Sequence, residues 1–262
     1  MIPTTTTPPR TARRSSTAVG DTAALVGRSL RRTTRELDTL LLSVLLPVLL
    51  MLLFVGVFGG AIDPDGDYVT YVVPGVILLC SGYGAAQTAV GVAGDMTGGI
   101  VTRLRTMPVP AGAVLTGHVV ASLARNAVAT AAVVGVALLL GFEAAAGPGE
   151  WLAAAGVLAL FVLAMTWLSV AVGLLARSTE AASGFTFLVL FLPYLSSAFV
   201  PVDTLPAALR GLATHQPVTP VIETLRGLLT DGSTSTWPAA LLWSTGLLLI
   251  GFVASLALFR RR

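Results

Sequence analysis

The sequence contains no lysine, because all sixteen of its basic residues are arginine. An ATP-binding P-loop needs a lysine to reach the β- and γ-phosphates, so this chain carries no such loop. Cysteine occurs once, at Cys80, which excludes an intramolecular disulfide. The two histidines, His118 and His215, are too few to build a histidine metal cluster. Only 11% of the residues are charged, against about 25% in a soluble domain, and this deficit indicates a membrane protein.

Long apolar runs take up most of the chain. Hydrophobic residues make up 55% of it and the mean hydropathy is +0.85. A membrane-spanning helix needs roughly 20 mainly apolar residues. We therefore predict an all-α membrane protein with six transmembrane helices and no soluble catalytic domain. The predicted spans are about 40–60, 69–92, 112–141, 151–176, 183–202 and 238–259.

The arginines outside the spans are distributed unequally between the two sides. Thirteen lie on the side of the two termini, and only Arg210 and Arg226 lie on the other. Cytoplasmic loops carry the excess of basic residues, so both termini are predicted to be cytoplasmic. The loops 61–68 and 203–237 are then extracellular, and the protein is assigned to a prokaryotic plasma (inner) membrane.

Two different segments precede the first span. Residues 1–20 are rich in Thr, Pro and Ser and predict a disordered tail, so the transmembrane domain is 21–262. Residues 21–38 predict an interfacial helix whose arginines lie near anionic lipid head groups. A solvated basic flank is the alternative. The arginines concerned are Arg28, Arg31, Arg32 and Arg35.

The spans are almost free of ionisable side chains. Arg125, in the third span, is the exception, and no Asp, Glu or His lies in the middle of a span. A carboxylate relay, which many ion-driven transporters use, is therefore missing, while an unwound ion site stays open. Arg125 either extends to the inner interface or pairs inside the helix bundle as an intramembrane lock.

The extracellular segment 203–237 has helical spacing of its apolar residues in two stretches. Pro217 and Pro220 stand between them and break the pattern. We predict two short helices that cap or enter the outer leaflet.

The segment "AGDMTGGIVTRLRTMPVP", 93–110, resembles the cytoplasmic coupling segment of type-2 ABC exporter permeases. A second stretch, 174–229, resembles the fifth span and extracellular helices of that family, notably in "SSAFVPVDTLP" and "PVTP". The resemblance covers about 25–259, and the daunorubicin-resistance type is the most similar group. The coupling motif consists of Asp95, Gly98, Gly99, Arg103, Leu104, Arg105, Thr106, Met107 and Pro108.

The resemblance implies a permease that works as a homodimer or pseudo-dimer with two copies of a separate ATPase subunit. That subunit would bind ATP and Mg²⁺, whereas this chain would hold no cofactor or metal and would have no catalytic site. The coupling helix is predicted at 95–107, with Asp95 capping its start and Pro108 ending it. Arg103 and Arg105 would face carboxylates of the ATPase. The plain alternative is a solvated cytoplasmic loop.

The implied activity is export of a hydrophobic or amphiphilic, drug-like molecule. Export of a lipid or lipid-linked glycan by the same machine is an alternative, as is an ion-coupled secondary transporter or channel. An intramembrane protease with Ser183 as nucleophile would need a histidine base at membrane depth, which neither histidine offers. Membrane lipids are expected to contact the chain, and no nucleic acid is expected as a partner.

Overall fold

The computed structural model describes residues 37–62, 68–99, 111–230 and 235–261. These ranges contain helices and turns, without a strand. Helix α1, Leu37–Leu53, continues through a π-helical turn, Phe54–Phe58, into Gly59–Ile62. Helix α5, Thr179–Phe191, continues as a 3₁₀ turn, Leu192–Leu195. The helices are α1 Leu37–Leu53, α2 Tyr68–Thr97, α3 Ala111–Leu139, α4 Pro148–Leu175, α5 Thr179–Phe191, α6 Ala207–His215, α7 Val218–Leu229 and α8 Trp237–Arg261.

Five helical segments of the described ranges are long and apolar enough to cross a bilayer. They are the continuous helix Ser43–Ile62 and helices α2, α3, α4 and α8. Each coincides with a predicted span, because a run of about 20 apolar residues has no other way to satisfy its backbone in lipid.

The fifth predicted span, 183–202, differs in the structure. The apolar helix here runs over Thr179–Leu195, which is shorter than the other five. It tightens at Pro193, which lacks a backbone N–H, and ends at the extended residue Ser196. Residues 196–199 then form a buried turn instead of a last helical turn.

Helix α2 is the centre of the bundle. In its most apolar stretch of 18 residues, 78% of the residues are buried, against 17% in the corresponding stretches of α1 and α8. It packs against α1, α3, α4, α5 and α7. Gly173 allows α4 to approach closely, because a Cβ there would lie 2.6 Å from the carbonyl oxygen of Ala89 in α2. The apolar helix α8 packs in turn on α4.

Two short helices occupy the segment where the sequence predicts them. Helices α6 and α7 meet at Gln216. Pro217 precedes α7 directly, and Pro220 lies in its first turn, where a missing N–H costs no helical hydrogen bond. Pro220 therefore belongs to α7 and does not break it. The side of the membrane on which these helices lie stays a prediction.

Candidate functional site

The prediction that Asp95 begins the coupling helix is wrong. Asp95 lies in the last turn of α2, which ends two residues later at Thr97, and so cannot cap a new helix. The Gly98 amide donates to the Gly94 carbonyl over 2.8 Å, and Gly99 takes a left-handed conformation with φ +69°. This arrangement is a typical helix end, and glycine is the residue that favours it. The helix of the second span thus includes Asp95 and ends just before Gly98 and Gly99.

Asp95 is instead a buried partner of the third span. It is 3% exposed, and its Oδ2 lies 3.0 Å from Nε2 of His118 in α3. With Asp95 ionised, its carboxylate only accepts hydrogen bonds, and the hydrogen then belongs to Nε2. The pair joins α2 and α3 at the end of α2 that leads into the coupling motif.

Much of the predicted coupling and interfacial set lies outside the described residues. Of this set, the structure describes Asp95, Gly98 and Gly99. The role of the other residues stays a prediction. Those outside are Arg28, Arg31, Arg32, Arg35, Arg103, Arg105, Met107 and Pro108.

Arg125 extends to the second span. Its Nη2 donates to the carbonyl of Gly84 over 2.9 Å and lies 3.4 Å from the hydroxyl of Thr88. Gly84 is close to the middle of α2, so the guanidinium is held inside the bundle and not at its end. An ionisable group at this depth is costly in lipid and usually functional. The contact favours the pairing alternative over an arginine that extends to the interface.

Next to Arg125, small polar side chains join α3 to α4. The Ser122 hydroxyl lies 3.1 Å from the Thr166 hydroxyl, and both residues are fully buried. Asn126 donates through Nδ2 to the Ser122 carbonyl over 3.0 Å. The Asn126 bond lies within α3, whereas the Ser122–Thr166 bond joins two spans, and hydrogen bonds of the second kind help to hold membrane helices together.

At the Tyr68 end of α2, Arg226 of α7 connects three parts of the chain. Its Nε and Nη2 donate to the Tyr71 carbonyl over 3.2 and 3.0 Å, and Nη2 also donates to the Ser197 carbonyl over 2.8 Å. Its Nη1 lies 2.7 Å from Oε1 of Glu223. The guanidinium also stacks on the Tyr71 ring, 3.8 Å from its centroid. We call this set, Arg226 with Tyr71, Ser197 and Glu223, the arginine clamp.

A cavity of about 450 Å³ opens beside the arginine clamp. Its volume is in the range of small-molecule pockets. Across the described ranges, the chain brings together no group of three or more His, Cys, Asp and Glu that could hold a metal ion. The cavity is lined by Tyr71, Pro201, Val202, Asp203, Thr214, Thr219, Pro220, Glu223, Arg226 and Thr236.

Sequence reasoning missed the partners in these contacts. Asp95 and His118 are the ionisable residues nearest the facing ends of two consecutive antiparallel spans, and that proximity was the available signal. Arg226 gave no comparable signal, because its partner Tyr71 is 155 residues away along the chain.

The helices and their buried polar contacts define a multi-pass membrane protein with an ionisable pair at one end and an arginine clamp at the other. A family model described as "ABC-2 type transporter" matches residues 21–230. The chain belongs to this family and is a type-2 ABC transporter permease. The resemblance of the coupling motif and of 174–229 predicted this family correctly.

Similarity to two named relatives supports the daunorubicin-resistance group of permeases. It is 29% identical over 213 residues to the daunorubicin resistance ABC transporter permease protein DrrB1 of Streptomyces coeruleorubidus, covering 80% of this chain and 75% of that protein. It is 25% identical over 194 residues to the probable doxorubicin resistance ABC transporter permease protein DrrC of Mycobacterium tuberculosis, covering 72% and 69%.

Proposed function

We propose that this chain is the membrane subunit of an ATP-driven exporter that moves a hydrophobic or amphiphilic, drug-like molecule out of the cytoplasm. The observation that carries the proposal is the similarity to two permeases named for resistance to daunorubicin and doxorubicin, over more than two thirds of each. The working complex contains two copies of a separate ATPase subunit and a second copy of this chain. ATP and Mg²⁺ bind to the ATPase.

In this proposal the segment 98–110 is the contact with the ATPase. Helix α2 ends just before Gly98 and Gly99, and Arg103 and Arg105 follow a few residues later in the sequence. Two guanidinium groups on a cytoplasmic loop suit a carboxylate-lined cleft, because arginine pairs with carboxylates in a bidentate way. Both termini are cytoplasmic in this arrangement.

Arg125 acts as an intramembrane lock in the same proposal. Its bond to the Gly84 carbonyl ties α3 to the middle of α2, which is the helix that most of the bundle packs on. A charged contact of this kind has few alternatives in the membrane, so it favours one arrangement of the two helices over others. Movement of α3 along α2 would have to break it.

The test is transport of doxorubicin into inside-out membrane vesicles that contain this chain and its ATPase subunit. We expect uptake that requires ATP and Mg²⁺, and that stops when the P-loop lysine of the ATPase is replaced. Uptake that follows an ion gradient without the ATPase would refute the proposal. ATP-dependent movement of a labelled lipid without movement of the drug would refute its substrate class.

A further inference from the structure

The contact between Asp95 and His118 lies at a junction of four helices. The pair bridges α2 and α3, and the buried apolar residues of these helices within one turn of it belong to a cluster that also includes residues of α4 and α8. The Asp95 side chain is 4% exposed and the His118 side chain 16%, so the contact is shielded from solvent mainly on the Asp95 side. The buried members of the cluster are Val92, Leu115, Val119, Trp167, Val170, Leu174 and Phe259.

The pair also joins the two helices between which the connecting segment runs. Helix α2 ends at Thr97 and α3 begins at Ala111, so residues 98–110 connect them. Asp95 lies in the last turn before this segment and His118 lies about two turns into α3, 23 positions further along the chain. A force on the segment therefore reaches both helices through ends that are already joined.

We propose that Asp95 and His118 are positioning residues for the coupling of ATP hydrolysis to transport. They hold the ends of α2 and α3 together, so that displacement of the segment 98–110 moves both spans as one body. Asp95 does not contact the ATPase in this proposal, because its side chain is 4% exposed and its Oδ2 bonds to His118 of α3. This inference rests on the proposed function, in which the segment is the ATPase contact.

The experiment measures the number of substrate molecules exported per ATP hydrolysed, in proteoliposomes that contain the assembled complex. The variants are Asp95→Asn, His118→Phe and the two combined. Coupling between sites is commonly worth about 5–150-fold, and we expect each single variant to lower the ratio about tenfold. His118→Phe removes the contact and Asp95→Asn removes its charged acceptor, so both changes act on one interaction. The double variant should then also lose about tenfold and not about a hundredfold. Binding of the ATPase in a pull-down should stay at the wild-type level.

Thr97→Val is the matched control. Thr97 lies in the same last turn and is exposed, and its hydroxyl donates to the carbonyls of Ala93 and Gly94 in its own helix. This variant should keep the wild-type ratio of transport to hydrolysis.

Three results would overturn the inference. If the losses of the two single variants multiply in the double variant, the residues act separately. If the ratio of transport to hydrolysis stays unchanged while the melting temperature falls, the pair is only structural. If Asp95→Asn loses the ATPase in the pull-down while His118→Phe keeps it, Asp95 contacts the ATPase. Failure of the proposed function is distinguishable, because there the wild-type chain itself binds no ATPase.

Discussion

Replacing Arg226 with glutamine should destabilise the permease strongly. The side chain is 14% exposed and bonds to two backbone carbonyls and one carboxylate, from α2, α7 and the turn after α5. A hydrogen bond to a charged group contributes about 1.5–3 kcal/mol, and a buried contact that loses one charged partner costs about 3–5 kcal/mol. Since Glu223 is 35% exposed and can be hydrated, we expect the loss to come mainly from the carbonyls of Tyr71 and Ser197.

The assay is thermal unfolding of the purified, full-length protein in detergent. A loss of about 3–5 kcal/mol in a chain of this size should lower the melting temperature by on the order of 10 °C. Arg226→Lys should give an intermediate shift, because an ammonium group lacks the planar fork that reaches both carbonyls.

Arg210→Gln is the control for the arginine clamp. Arg210 is the other arginine assigned to the extracellular side, and it is exposed. Its Nε donates to the Leu205 carbonyl over 2.7 Å. An exposed substitution of this kind should change the free energy of unfolding by less than about 1 kcal/mol. Equal shifts in the melting temperature for Arg226→Gln and Arg210→Gln would refute the reasoning.

Three further predictions concern topology, coupling and packing. A cysteine placed at Asp65, with the native cysteine replaced, should react with an impermeant reagent from outside, and labelling only from inside would refute the topology. The double variant Arg103→Glu, Arg105→Glu should reach the membrane normally but lose the ATPase in a pull-down, because a charged contact reversed in this way costs about 2–5 kcal/mol; normal binding would leave 98–110 a plain loop. Gly173→Val should cost about 1–3 kcal/mol, measured by thermal unfolding, because its Cβ would lie 2.6 Å from the Ala89 carbonyl oxygen. An unchanged melting temperature would contradict the close α2–α4 contact.

The positions of five long helices could be predicted from the sequence to within a few residues, because they follow from the length of the apolar runs. The span at 151–176, for example, is Pro148–Leu175 in the structure. The end of α2 was misplaced, since Asp95 looks like a helix cap when its partner is unknown. Helical continuation to Thr97 is reasonable only once His118 satisfies the carboxylate.

The contacts of the arginines depend on tertiary structure and could not be predicted. Arg226 counted as one of two positive charges on the extracellular side, which concerns topology and not packing. Its place over the Tyr71 ring requires α7 to fold back onto the start of α2. For Arg125 the sequence left two alternatives, and only the position of the Gly84 carbonyl distinguishes them.

The arginine clamp has a consequence for the order in which the protein is made. Tyr71 enters the membrane early in synthesis, while Arg226 is 155 residues further along the chain. At about 5–20 residues per second, Arg226 leaves the ribosome's active centre roughly 8–30 s after Tyr71. During that interval the Tyr68 end of α2 lacks the cation that binds the Tyr71 carbonyl. A nascent chain that ends before α7 therefore lacks the arginine clamp. The clamp forms only after translation has passed Arg226.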